Sequence, residues 1–312
     1  MDSFRVALNV ALPMALMMGV GCLVRVTGVV TRQDTPPIDR LIFRLLMPCL
    51  LFHNIYSIDF SSAFPGREML FTLVSLGLLF LLGVLLPPKL VKDRRQAATI
   101  GQAIFRCNFV LFGIAVTESI YGKGNAGLTA LLGAVVVPVT NAMSVVLLEM
   151  SRSKSAKPGQ ILSAVLRNPM VISAIAALCL SLLHIRIPEM LYCVVEDLAG
   201  ATATVSFLSL GISLDPRELR GNRRALTLGV GLRMLLVPLI FLPIALALGF
   251  REQSLCAMII LFASPTAIST YPMATAMDAD GPLAGQIVCV TTLLSVVTIF
   301  LLTFLFKALG ML

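Results

Sequence analysis

Two apolar stretches carry polar groups that a lipid-facing helix would exclude. RCNFVLFGIAVTESIYG (Arg106 to Gly122) holds Arg106, Cys107, Asn108 and Glu118, and FASPTAISTYPMATAMDADG (Phe262 to Gly281) holds Ser264, Pro265, Thr266, Ser269, Thr270 and Pro272. Asn108 offers a donor and an acceptor, and the hydroxyls around Pro265 offer more. Pro265 removes a main-chain donor and clashes with the preceding turn, freeing backbone groups that hydrocarbon cannot satisfy. Such a break is tolerated where it lines a cavity inside the protein. If both helices unwind near the midplane, their half-helix N-termini bring free N–H groups and positive dipole ends to one point. That makes a carboxylate site without a lysine. The competing reading is a pair of ordinary kinks.

The two stretches also correspond in position. An offset of 157 residues places Asn108 over Pro265, Gly124 over Gly281 and Gly127 over Ala284, while an offset of 156 places Pro13 over Pro169 and Asp59 over Asp215. A nearly constant offset points to duplication. Interrupted segments at matching positions of two halves are a sequence pointer to a central transport site.

Hydrophobic residues make up 58% of the chain and charged residues 13%, with a mean hydropathy of +0.95; an ordinary soluble domain carries roughly 25% charged residues. This is the balance of an integral membrane protein. Apolar runs of about 20 residues recur, the length that crosses a hydrocarbon core of about 30 Å, and the alternating pattern of an outer-membrane barrel is absent. The net charge of +8 needs no nucleic acid, because basic loops orient membrane proteins. Seven cysteines without a CxxC pattern and two histidines make no metal set, and neither metal nor cofactor is expected. The N-terminal segment reads as a retained first span. Tryptophan is absent, leaving Tyr56, Tyr121, Tyr192, Tyr271 and the basic loops as interfacial anchors.

Ten spans are expected, at about 5–26, 38–57, 68–88, 97–121, 125–149, 161–184, 190–213, 224–248, 253–277 and 282–308. The linker SRSKSAKPGQ separates two halves of five, 1–156 and 157–312. An odd number of spans per half makes the second enter from the opposite side. The expected fold is therefore an all-α polytopic membrane protein of two inverted five-helix repeats. Loops after spans 1, 3, 5 and 7 hold 14 Lys or Arg, including Lys92 and Lys154; the opposite face holds six, Arg5, Arg67, Lys123, Arg186, Arg251 and Lys307. The positive-inside rule then puts the odd loops in the cytoplasm and both termini outside.

Charged groups within the spans are further candidates. Arg106 reads as an anion attractor or as an end-of-helix or ion-pair residue, Arg233 as structural, and Arg44 and Arg167 as snorkelling near span ends. Glu118, Glu196 and Asp197 are the candidate proton-coupling acids, with an interfacial place as the alternative for Glu118. Asn54 and Asn141 are site or helix-contact candidates. Small residues in GVG (19–21) and AGATATVS (199–206) permit close helix approach. No nucleophile or metal constellation marks an enzyme.

Several segments, taken in order, resemble the auxin efflux carrier family, whose bacterial members include proteins assigned as malonate and other organic-acid permeases. They are LLMPCLLFHNI around Pro48, RCNFVLFGIAV through Arg106, Asn108, Phe112 and Gly113, YGKGNAGL, PVTNAMSV with Asn141, LRNPMVIS, FLSLGISL, and ASPTAIS around Pro265. The resemblance covers nearly the whole chain. It implies ten helices in two inverted repeats with broken helices 4 and 9 crossing at their midpoints. Helices 1, 2, 6 and 7 would form a scaffold, against which helices 3–5 and 8–10 move as a transport unit. In plant members the crossing has proline in both helices, and a neighbouring asparagine contacts the auxin carboxylate. Here Cys107-Asn108 stands at the first crossing without proline, and the plant carriers' long cytoplasmic loop is missing.

The resemblance and the residues together make a small mono- or dicarboxylate the expected substrate, rather than auxin. The expected binding set is Asn108, Cys107, Ser264, Pro265, Thr266 and Ser269, with Asn54 and Asn141 weaker. The expected activity is secondary transport by alternating access in a plasma membrane, or the inner membrane of a bacterium, with an anion channel or nontransporting membrane sensor as the alternative. The coupling ion is open between proton and sodium, and self-association through the scaffold helices as a homodimer is the expected assembly.

Overall fold

A computed structural model describes residues 2–57, 65–152, 158–215 and 222–312. Asp59, Lys154, Lys157, Arg217 and Arg220, which entered the offset and the loop charges, lie outside the described residues. The chain opens with α1 (Asp2–Val26), a 3-10 turn (Arg32–Asp34) and α2 (Thr35–Leu41), which runs through a π-helical turn (Ile42–Leu46) into α3 (Met47–Tyr56). Next come α4 (Gly66–Leu85), the short α5 (Pro87–Leu90), α6 (Arg94–Phe105), α7 (Phe109–Tyr121) and α8 (Gly127–Arg152). They are followed by α9 (Pro158–Leu166), α10 (Pro169–Leu182), α11 (Glu189–Ser213) and α12 (Arg223–Gly231). A second π turn (Leu232–Leu236) joins α12 to α13 (Val237–Ala247), and α14 (Glu252–Ala263), α15 (Thr270–Ala276) and α16 (Gly281–Ala308) complete the fold.

Among the described residues six stretches are long and apolar enough to cross a membrane: Leu8–Val26, Gly66–Leu90, Gly127–Arg152, Glu189–Ser213, Arg223–Ala247 and Gly281–Ala308. Shorter apolar helices stand between them, Phe109–Tyr121, Pro169–Leu182 and Glu252–Ala263. The protein is thus an all-helical polytopic membrane protein. Leu12, Leu16, Val20 and Leu23 of α1 point outward, the arrangement that lipid, unlike water, rewards.

Proline sets the irregular points. Each π turn is followed two residues later by proline, Pro48 or Pro238. A proline ring displaces the carbonyl four residues before it, and a widened turn absorbs that clash. The span expected as one helix over 161–184 is instead interrupted at Arg167 and Asn168. Asn168 accepts a hydrogen bond from the Met170 N–H and Pro169 takes the first helical position, so α10 starts afresh there.

Glycine permits two close approaches. A Cβ on Gly21 of α1 would lie 2.9 Å from Cα of Gly211 in α11, and one on Gly83 of α4 would lie 2.6 Å from the carbonyl oxygen of Gly101 in α6. Of the GVG pair, Gly21 therefore makes the contact; Gly19 has nothing within 4 Å. Arg25 adds to the first junction by donating to the Ile212 carbonyl at 3.1 Å.

Contacts between connections define two faces. On one, Arg32 pairs with Asp215 at 3.5 Å and Arg152 with Asp278 at 3.2 Å. There too Arg95 Nε donates to the Asp278 carbonyl at 2.8 Å, Ser151 to the Arg94 carbonyl at 3.1 Å, and Gln96 to Asn222 at 3.4 Å. On the other, Tyr56 Oη donates to the Ile185 carbonyl at 3.0 Å, Ser254 to Glu68 at 2.8 Å, and the Glu252 N–H to the Met311 carbonyl at 2.8 Å. The base-rich connections share the first face.

Candidate functional site

The expected span over 97–121 is broken between Phe105 and Phe109, and the one over 253–277 between Ala263 and Thr270. Arg106 is extended (φ −82°, ψ 117°), as is Ser264 (φ −69°, ψ 157°). The two gaps pair with each other. Cys107 and Thr266 form an antiparallel bridge, and the Asn108 N–H donates to the Pro265 carbonyl at 2.9 Å. The first helix therefore opens without a proline, because the second gap supplies partners for backbone groups that hydrocarbon could not satisfy. The Thr266 N–H donates to Thr291 Oγ1 of α16 at 3.2 Å.

Arg233 holds the two broken ends. Fully buried in the second π turn, it donates from Nη1 to the Ile104 carbonyl at 3.1 Å and from Nη2 to the Leu261 carbonyl at 3.0 Å. Nε and Nη2 reach the Ser264 carbonyl at 3.1 and 2.8 Å. Helix C-termini leave carbonyls without intrahelical donors and carry partial negative charge. One guanidinium thus caps α6 and α14 together, a structural role.

Arg106 is placed differently. It is 2% exposed, and its Nη2 donates to Asn141 Oδ1 at 2.6 Å and to Ser269 Oγ, while Nη1 meets the Met273 sulfur. Its Nε has no partner, and the buried hydroxyls of Ser264, Thr266 and Thr270 have none either. Among the described residues no carboxylate lies within ion-pair distance of Arg106 or Arg233. Asn108 is 8% exposed, and its amide nitrogen faces only the Met14 sulfur of α1 at 3.8 Å, a weak acceptor. The gap therefore holds positive charge and unspent donors, with α1 as its facing wall.

The structure brings Arg106, Cys107, Asn108, Asn141, Ser264, Pro265, Thr266 and Ser269 to the crossing. It leaves other candidates apart. Asn54 lies two residues from the end of α3, where only its carbonyl is engaged, by Ser57 at 3.5 Å. Glu118 accepts from the Gly124 N–H at 3.0 Å and so closes the turn after α7. Glu196 and Asp197 are exposed on α11, with Asp197 facing the Cys193 thiol at 4.0 Å. The expected pair of free half-helix N-termini is also reduced to one. The Thr270 and Tyr271 N–H groups of α15 are already taken by the Ala267 and Ile268 carbonyls at 3.0 and 3.1 Å.

Two features escaped the sequence reading. Met273 stands against Arg106, and a methionine in an apolar run gives no signal of such a contact. Asp39, at the start of the span expected over 38–57, is buried at 1% exposure.

Residues 6–303 match the family described as membrane transport protein, so the chain belongs to this auxin efflux carrier-like family of membrane transporters, which is not enzymatic. It is similar to an uncharacterized transporter of Methanothermobacter thermautotrophicus, at 22% identity over 284 residues, covering 89% of this chain and 91% of that protein.

Proposed function

We propose that this transporter is a secondary carrier of small organic anions, mono- or dicarboxylates, working by alternating access. One observation carries the reading: the buried Arg106 guanidinium has an unspent Nε and no carboxylate beside it. A buried cation without a counter-charge is costly, and a bound anion removes that cost. Asn108 and the hydroxyls of Ser264, Thr266 and Ser269 supply the remaining polar contacts for a carboxylate group.

The architecture that serves this reading is ten crossings, formed by α1, α2 with α3, α4, α6 with α7, α8, α9 with α10, α11, α12 with α13, α14 with α15, and α16. The two sets of inter-connection contacts support that count, and the pairing of Asn108 with Pro265 supports two inverted repeats. We assign α1, α2, α3 and α9 to α11 to the scaffold and the remaining helices to the transport unit. Consistent with this, the hydrogen bonds of Arg106 and Arg233 stay within α6, α8, α14, α15 and the segments joining them. A cavity of about 650 Å³ on the base-rich face, lined by Lys92, Arg94, Arg95 and Arg152, reaches Met277. Met277 stands about one turn beyond Met273, just past the end of α15, so this cavity is the approach from the cytoplasmic side of a plasma membrane.

The test is exchange in sealed proteoliposomes. Labelled acetate, lactate, malonate and succinate are offered under separately imposed proton and sodium gradients. Saturable counterflow of at least one is expected, and lost in Arg106→Gln. An ohmic, nonsaturating current without counterflow would replace the carrier reading with a channel.

A further inference from the structure

Among the described residues Asp39 is the only acid that is fully buried. Its Oδ1 accepts from Ser209 Oγ of α11 at 2.7 Å and its Oδ2 from Tyr271 Oη of α15 at 2.9 Å. Beside it lies a cavity of about 220 Å³, lined also by Arg32, Asp215, Tyr271, Thr275 and Gln286. Arg32 pairs with Asp215 across this cavity mouth at 3.5 Å, on the base-rich face, and the buried Gln286 Oε1 has no donor.

The charged and titratable groups on every element packed against α2 are few. The 3-10 turn brings Arg32 and Asp34, the first π turn Arg44, which is exposed, and α15 Tyr271. On α11, Glu189, Cys193, Glu196 and Asp197 are exposed and Tyr192 is half-buried with its hydroxyl against His53 Nδ1 at 3.0 Å, while Arg40 of α2 itself is exposed; Asp197 stands twelve residues before Ser209, about 18 Å along the axis. Among the described residues Asp39 forms no ion pair.

The bond to Tyr271 spans the two groups of helices assigned above. Asp39 and Ser209 belong to the scaffold; Tyr271 belongs to the half-helix whose start, Ser269, holds Arg106. An ionised carboxylate only accepts, and so holds both hydroxyls at once. A protonated one carries a donor on one oxygen and has less acceptor capacity there, so the bond on that side weakens or reverses. Protonation also removes the cost of a buried charge that has hydrogen bonds but no counter-charge. The groups weighed for coupling from the sequence have no such position: Glu118 closes a turn, and Glu196 and Asp197 face outward.

We propose that Asp39 is the proton-binding site of this carrier. A proton entering through the 220 Å³ cavity adds to the carboxylate, and no other covalent bond forms or breaks. The change loosens the link between α15 and the scaffold and so couples movement of the transport unit to proton uptake. The proposal rests on the carrier reading for the link to transport, though not for proton binding.

Two measurements separate these. The first uses purified, substrate-free protein in nanodiscs and records infrared difference spectra between acid and neutral pH. A protonated-carboxyl C=O band is expected in the wild type, absent in Asp39→Asn, and shifted in Tyr271→Phe, which leaves the carboxyl in place while removing its partner. The second uses proteoliposomes and labelled malonate. Asp39→Asn is expected to keep counterflow while losing accumulation driven by a pH gradient. A band that persists unchanged in Asp39→Asn and does not move in Tyr271→Phe overturns the proposal, as does accumulation by Asp39→Asn with wild-type pH dependence. Failure of the wild type to exchange any carboxylate counts against the carrier reading alone, since the infrared arm still decides Asp39. If Asp39→Asn does not fold, the Tyr271→Phe shift decides the same point.

Discussion

The main-chain N–H of Asn108 donates to the carbonyl of Pro265 at 2.9 Å, and these two positions coincide when the halves of the chain are superposed at an offset of 157 residues. The two gaps thus complete each other's backbone. Neither helix has to satisfy its own break, which explains why one proline suffices for two interruptions.

The two buried arginines at this junction are expected to respond oppositely to neutralisation. Arg233→Gln uncovers the carbonyls of Ile104, Leu261 and Ser264, and each buried acceptor left unsatisfied costs about 1–3 kcal/mol. A clear fall in thermal midpoint in detergent is the expected result. Arg106→Gln removes a cation that has no counter-charge in the folded protein, so its midpoint should hold or rise. Its carboxylate affinity, in contrast, should fall about tenfold or more, from loss of a charge-assisted bond of about 1.5–3 kcal/mol. Unfolding curves and equilibrium binding on the same two variants check both halves.

The glycine contacts make a second pair of opposed outcomes. Gly211→Ala drives a methyl group into the Met18 carbonyl of α1 and the Cα of Gly21, and overpacking of this kind costs about 1–3 kcal/mol. Gly19→Ala meets open space and gains up to about 1 kcal/mol of helix propensity. Thermal unfolding of the two variants should move in opposite directions. Equal destabilisation would mean that α1 and α11 do not meet at Gly21 and Gly211.

These contrasts show which parts of the molecule the sequence can speak for. Pro265 announced its break because a missing donor is a local property, and Arg106 and Asn108 announced theirs because polar groups in an apolar run need a reason. Arg233 was read as structural, but its partners are carbonyls of two other helices and no pattern near residue 233 names them. Asp39 stands two residues after a pair of prolines at the very start of an expected span; only the packing of α11 and α15 over it makes it an interior acid. Glu196 and Asp197 failed in the reverse way, since acids in an apolar helix draw attention whichever way they point.

Orientation is open to a direct check. The base-rich face, where Arg152 meets Asp278 and Arg95 meets the same residue's carbonyl, is expected in the cytoplasm. In a background with the native cysteines replaced, Lys92→Cys should be shielded from a membrane-impermeant thiol reagent in intact cells. Lys123→Cys and Lys307→Cys should be labelled. Labelling at Lys92→Cys together with protection at Lys307→Cys would invert the topology and place the 650 Å³ cavity on the outside.

Asn108 carries the most specific expectation for substrate binding. Its N–H belongs to the backbone pairing with Pro265, which a side-chain substitution leaves in place, while its amide nitrogen faces only a thioether at 3.8 Å. Asn108→Ala should therefore weaken carboxylate binding by about 1.5–3 kcal/mol, the range for a hydrogen bond to a charged group, which is roughly 10-fold to 150-fold in affinity. Asn108→Asp is the sharper variant. Its volume is nearly the same, but a carboxylate there repels an anionic substrate and also competes for Arg106. A purely structural asparagine has no reason to discriminate by substrate charge, so the Asp variant should lose anions more severely than Ala does. Equilibrium binding of labelled malonate or lactate to purified, folded variants separates this from loss of expression or of motion. Unchanged affinity in both variants would remove Asn108 from the binding site even if transport slowed.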